Sequence, residues 1–119
     1  MGKTKQYDLE DRTLKFSKDV IRLVNNSPGS LSNNEISKQL VRSAGSVGAN
    51  YIEANESISK KDFVYRIKIC RKESKESRYW LNLILTNESI EDERKRLVQE
   101  STELMKIFGA IITKASKKN

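Results

Sequence analysis

From Asp8 onward the chain alternates apolar and polar residues with a helical period. Leu9, Phe16, Val20 and Leu23 recur at three- and four-residue spacings or multiples, with Leu14, Ile21 and Val24 widening the stripe. This predicts an amphipathic helix over about residues 8–26. Asp8, Glu10 and Asp11 stand in its first turn, where carboxylates complement the positive end of the helix dipole. Asn25-Asn26-Ser27-Pro28-Gly29 ends it, because Pro28 disfavours helical geometry at Ser27. A second helix is predicted over about 33–58. Ser32 and Glu35 fit a capping box, and Ile36, Leu40, Ala44 and Val47 continue the pattern. Ser59 and Asp62 offer a similar cap for a third helix over about 60–87, with Phe63, Ile67, Cys70, Ser74, Ser77, Leu81 and Ile84 on one face. Asn87-Glu88 breaks it, and a cap at Ser89 to Asp92 opens a fourth helix over about 90–116 carrying Leu97, Leu104, Phe108 and Ile111. Met1 to Tyr7 reads as a frayed end, and Ala115 to Asn119 as a basic tail. Four helices joined by short loops make residues 1–119 a single all-α domain, an antiparallel four-helix bundle.

Leu40 to Glu56 concentrates small residues: Ser43, Ala44, Gly45, Ser46, Gly48 and Ala49. A helix-interior glycine costs about 1 kcal/mol relative to alanine, so two within four positions imply the close approach of another backbone. Folding the second and third helices back about Ser59 sets Ala44 near Ser74, Gly48 near Cys70 and Ser43 near Lys75. The predicted contact is therefore tighter than the usual 8–10 Å between axes. The same construction predicts interhelical ion pairs of Arg42 with Glu73 and Glu76, and of Glu53 with Arg66.

Composition narrows the function. Only 36% of the residues are hydrophobic and 33% are charged, which implies wide polar helix faces and further burial by self-association. No apolar run is long enough to span a bilayer and the N-terminus has no signal-peptide core, so the expectation is a cytoplasmic protein with no membrane association. Cys70 is the only cysteine and there is no histidine, which excludes an internal disulfide, a zinc constellation and the Glu-x-x-His pairs of a di-iron bundle. Cys70 reads as a small residue on a buried face. No serine has a histidine base, and the glycines sit inside a helix pattern without the strand and Lys-Ser/Thr of a P-loop. The expectation is a non-catalytic protein without cofactor or metal.

The run QLVRSAGSVGANYIEA (Gln39 to Ala54), followed by SKKDFVYRIKICRKESKESRYWL (Ser59 to Leu81), resembles the bacterial four-helix-bundle family that includes proteins encoded in intervening sequences of 23S ribosomal RNA genes. The resemblance extends from Asp8 to the apolar repeat of the last helix. It implies an up-and-down, left-handed bundle assembling as a homopentamer around a central pore. The chain is also similar in architecture and charge to the accessory protein of diversity-generating retroelements, a basic pentamer that partners a reverse transcriptase and binds nucleic acid.

The net charge of +7 makes a polyanion the natural long-range partner. Most of the excess lies between Lys60 and Tyr79, with eight basic against three acidic residues. Lys61, Lys68, Arg71, Lys72, Lys75 and Arg78 largely share one helix face, a row suited to following a phosphate backbone. The opposing interpretation is a solvated face partly neutralised by Glu73 and Glu76. Tyr65, Tyr79 and Trp80 are the aromatics placed to stack on unpaired bases, although Trp80 reads first as a packing residue. Two functions remain: a basic, oligomeric RNA-binding or nucleoprotein accessory factor, or a protein-interaction scaffold with no direct nucleic-acid role, its positive face meeting an acidic protein.

Overall fold

The computed structural model describes residues 5–117, which form α1 (Lys5–Asn25), α2 (Leu31–Asn55), α3 (Lys60–Leu83) and α4 (Glu88–Lys117). Met1 to Thr4, and Lys118 and Asn119 of the expected basic tail, lie outside the described residues. The helix continues through Ala115 to Lys117, so that part of the tail extends α4. At the other end α1 starts at Lys5, ahead of Asp8, because Lys5 and Gln6 are good helix formers with no breaker after them. Glu10 and Asp11 therefore sit beyond the first turn, where the dipole acts less.

Each helix packs against its two neighbours in a four-membered ring, and all four contacts are antiparallel. Thr13 lies on Gly48 between α1 and α2. Ser43 meets Ser77 between α2 and α3, Arg78 meets Thr102 between α3 and α4, and Arg12 meets Glu100 between α4 and α1. Inside the ring Phe16, Val20, Leu23, Leu40, Val47, Ile67, Leu81, Leu97, Leu104 and Phe108 are all buried. These are the positions of the periodic stripes, as amphipathic packing requires.

The loops differ in detail from the sequence pattern. Ser30, in extended backbone, caps α2 by accepting from the Asn33 amide at 3.1 Å, so Ser32 is already helical and the Ser32–Glu35 box does not form. Asn33 instead turns inward and is 1% exposed. Its Nδ2 donates to the carbonyls of Pro28 (2.8 Å) and Leu85 (3.1 Å), while its Oδ1 accepts from the Leu85 amide at 2.8 Å. One side chain thereby joins the α1–α2 and α3–α4 loops. Its hold on Leu85 explains why α3 stops at Leu83 rather than near Asn87. Asn87 then acts as a cap for α4, accepting from the Ser89 amide at 3.0 Å, two residues before the pattern placed one. Ser59 caps α3 as expected, accepting from the Asp62 amide at 3.0 Å.

The small-residue stretch serves two neighbours. Toward α3 it presents Ser43, whose hydroxyl lies 2.9 Å from that of Ser77, and Val47, whose carbonyl accepts from the Cys70 thiol at 3.5 Å. The glycines point at α1 instead, and Cys70 meets the α2 backbone one residue short of Gly48, at the Val47 carbonyl. A Cβ on Gly48 would stand 3.0 Å from Thr13 Oγ1 and 3.3 Å from its Cβ, whereas one on Gly45 would meet only Ser17 Oγ at 3.8 Å. At 3.6 residues per turn the glycines lie about 140–160° round the helix from Ser43, a difference of azimuth that residue spacing about a loop does not resolve.

Thr13 is buried and its hydroxyl bonds back to the Leu9 carbonyl at 2.8 Å, so it has little room to retreat. Gly48→Ala is therefore expected to lower stability. Gly45→Ala, in ordinary van der Waals space, should raise it by about 0.5–1 kcal/mol through helix propensity. Urea unfolding of the two variants measures the opposite signs.

Candidate nucleic-acid interface

At 3.6 residues per turn, Lys61, Tyr65, Lys68, Lys72, Lys75 and Tyr79 fall within a sector of about 80° on α3. All six are exposed. They lie opposite Phe63, Ile67, Cys70, Ser74, Ser77 and Leu81, which face the interior; the core-facing half of α3 thus fixes where the lysines point. The four lysines form no ion pair among the described residues.

Arg71 and Arg78 leave this row. Both lean toward α4, Arg71 passing over Gly109 and Arg78 donating to Thr102 Oγ1 at 3.3 Å. The six basic residues singled out from spacing thus divide into four outward lysines and two arginines in the α3–α4 groove.

The acidic residues of α3 lie on its other flank, against α2. Arg42 donates to Glu76 at 2.7 Å and stands 3.5 Å from Glu73 Oε1, so the first expected ion-pair set forms. Glu76 also accepts from the Trp80 indole at 3.4 Å, and Trp80 packs against the core. Glu73 is 7% exposed and its Oε1 is buried without a hydrogen bond. Burial first, and the neighbouring Glu76 second, hold the Glu73 carboxyl above its ordinary value, with the charges of Arg42 and Lys72 offsetting only part. Burial pushes Glu76 the same way, but hydrogen bonds from Arg42 and Trp80 outweigh it and leave Glu76 below the ordinary value.

The second expected pair, Glu53 with Arg66, does not form. Arg66 Nη1 donates to Asn50 Oδ1 at 3.0 Å, one turn before Glu53. Asn50 is oriented for this by its own Nδ2, which donates to Ser46 O at 2.9 Å and Ser46 Oγ at 3.0 Å. A neutral acceptor on the flank facing α3 wins over a carboxylate that stays in water.

Burial raises the Cys70 thiol to about 12, far from a reactive thiolate. No helix among the described residues is long and apolar enough to cross a membrane.

The family described as 23S rRNA-intervening sequence protein matches residues 5–110. The chain belongs to this family. Among solved structures, a protein of unknown function from the S23 ribosomal protein family of Bacteroides thetaiotaomicron is 32% identical over 92% of this chain and 99% of its own, with a TM-score of 0.76. No curated protein matches.

The family chain also contains polar features that spacing alone did not single out. Asp19, 4% exposed, collects Lys15 (2.8 Å), Arg22 (2.9 Å) and Arg96 (2.7 Å). Burial alone would raise its carboxyl, but these three hydrogen bonds hold it below the ordinary value. Arg12 grips Glu100 through Nε (2.7 Å) and Nη2 (2.9 Å) and reaches Glu103 at 2.8 Å. Both clusters join α1 to α4, helices so distant in sequence that no loop construction relates them.

Glu73 supplies a pH test. A carboxyl whose folded value is raised binds its proton more tightly folded than unfolded, so its contribution to stability falls as pH rises through the unfolded and then the folded value. Glu73→Gln removes that loss. The variant is expected to melt higher than the parent at pH 7, with the difference shrinking as pH is lowered below the ordinary glutamate value.

Proposed function

We propose that this protein is a non-catalytic, cytoplasmic RNA-binding or nucleoprotein accessory factor, acting as a basic homo-oligomer, and that a homopentamer is its assembly. The observation that carries the reading is the outward lysine row of α3, which forms no ion pair among the described residues while Arg42 engages Glu73 and Glu76 on the adjoining α2 flank. Unpaired lysines in a row supply the counterion-releasing contacts of a phosphate binder. The name of the family, which refers to ribosomal RNA, is consistent with this. The protein partner proposed with it, from the likeness in architecture and charge to the retroelement accessory protein, is a reverse transcriptase.

Self-association is supported by a different surface. Leu14 and Ile21 of α1 and Val41 and Ile52 of α2 are all exposed, and Gly45 lies among them. This apolar, small-residue surface lies away from the lysines, so copies joined there would keep their α3 rows free. The same exposed apolar side chains favour a second reading, a protein scaffold without nucleic acid.

Two measurements test these statements. Filter binding to generic RNA should show log K falling with log salt by about 0.7–0.9 per phosphate contacted, and changing Lys61, Lys68, Lys72 and Lys75 together to Gln should make that slope shallower by about 3. A parent protein that retains no RNA leaves only the scaffold. Sedimentation velocity should show an oligomer that Val41→Asp with Ile52→Asp converts to monomer; a monomeric parent removes the assembly.

A further inference from the structure

The α3 face carries more than charge. Tyr65 and Tyr79 are 61% and 60% exposed, and they sit in the same sector as the lysines, bracketing Lys68, Lys72 and Lys75. Exposed tyrosines on a helix whose core face is already complete contribute little to folding. Each is nonetheless braced from one side. The Arg66 guanidinium lies 6.0 Å from the Tyr65 ring centre, and Trp80 meets Tyr79 edge-on, with centroids 4.9 Å apart and planes at 75°. Trp80 itself is withdrawn from the face by its packing and its bond to Glu76, so of the three aromatics in this region two remain available.

We propose that this face binds an unpaired stretch of RNA, with Tyr65 and Tyr79 as stacking platforms at the two ends of a lysine-lined track. The inference rests on the nucleic-acid reading above and names the form of RNA. A duplex keeps its bases stacked on one another and offers a tyrosine only phosphate and groove edge, and the A-form major groove is too narrow and deep for side chains to read. A single strand presents base faces, and stacking on an aromatic ring is tolerant of sequence. The dimensions fit. Fourteen residues of helix separate the rings by about 21 Å, and at about 3.4 Å per stacked nucleotide that is roughly six nucleotides. Within that length Lys68, Lys72 and Lys75 meet the backbone. Beyond Tyr65, Lys61 continues the row by one turn, while Glu53, Glu56, Asp62 and Arg66 line the adjoining crevice.

The test uses the full chain and two fluorescein-labelled probes, an oligouridylate of about a dozen nucleotides and the same strand annealed to oligoadenylate, followed by anisotropy. Tyr65→Ala with Tyr79→Ala should weaken the unpaired probe about fivefold or more for each ring removed and leave the duplex unchanged. Tyr65→Phe with Tyr79→Phe should bind the unpaired probe like the parent, which separates stacking from loss of a hydroxyl and from misfolding; circular dichroism of both variants checks the helix content. The Lys68→Gln, Lys72→Gln, Lys75→Gln variant should weaken both probes. If the lysine variant weakens both probes while the alanine pair changes neither, or both alike, the RNA reading stands and the stacking track is overturned. Tighter binding of the duplex than of the unpaired strand overturns it as well. A parent protein that binds neither probe removes both.

Discussion

The close fit of α2 against two neighbours at once governs the rest of this bundle. Serine and valine on one flank let α3 approach until two buried hydroxyls meet at 2.9 Å, and glycine on another lets the Thr13 side chain of α1 settle directly on the α2 backbone. Larger side chains on either flank would push a helix outward and rotate it to find new contacts. Because α3 is seated by Ser74, Ser77 and Cys70, its azimuth is set, and with it the division between a flank that holds Glu73 and Glu76 against Arg42 and a face that turns four lysines to water. The charge asymmetry is a by-product of steric fit.

Two of the buried polar side chains, Asn33 and Glu73, have opposite effects. Asn33 satisfies its amide through three hydrogen bonds to two loops and ties one end of the bundle together. Glu73 keeps one oxygen without a partner. A buried group that is fully bonded specifies a structure, while one that is partly bonded weakens it. The bundle therefore has a firm end at the Asn33 crosslink and a conceded loss near the middle of α3.

The helices and most of their buried faces are legible because apolar periodicity is a local property: Phe16, Leu40, Ile67 and Leu104 are buried as it predicts, whereas Leu14 and Ile21, which widen the α1 stripe, face outward. The Ser59 turn was legible too, and with its centre known the Arg42 pairs followed. What did not follow was rotation about the helix axis. Spacing sets Gly48 toward α3 whereas it points at α1, it pairs Glu53 with Arg66 whereas Asn50 takes that arginine, and it groups Arg71 and Arg78 with lysines from which α4 draws them away. The α2 and α4 caps stand at Ser30 and Asn87, two residues ahead of Ser32 and Ser89, and the Asn33 side chain is drawn to a loop 52 residues distant. Long-range hydrogen bonds of that kind leave no trace in residue spacing.

The ring closes in an uneven way. Three of its edges join helices that follow one another in the chain, but the α1–α4 edge rests on ion pairs between residues 77, 88 and 91 positions apart, over a crevice lined by Phe16 and Leu97. Hairpins of adjacent helices have small loops to close, whereas bringing Arg12 to Glu100 closes nearly the whole chain and gains mainly partly exposed charge contacts. On loop-closure grounds the α1–α4 seam is expected to form after the hairpins of adjacent helices. Contacts made late in folding act on unfolding more than on folding, so weakening the α1–α4 seam is expected to speed opening more than it slows closing.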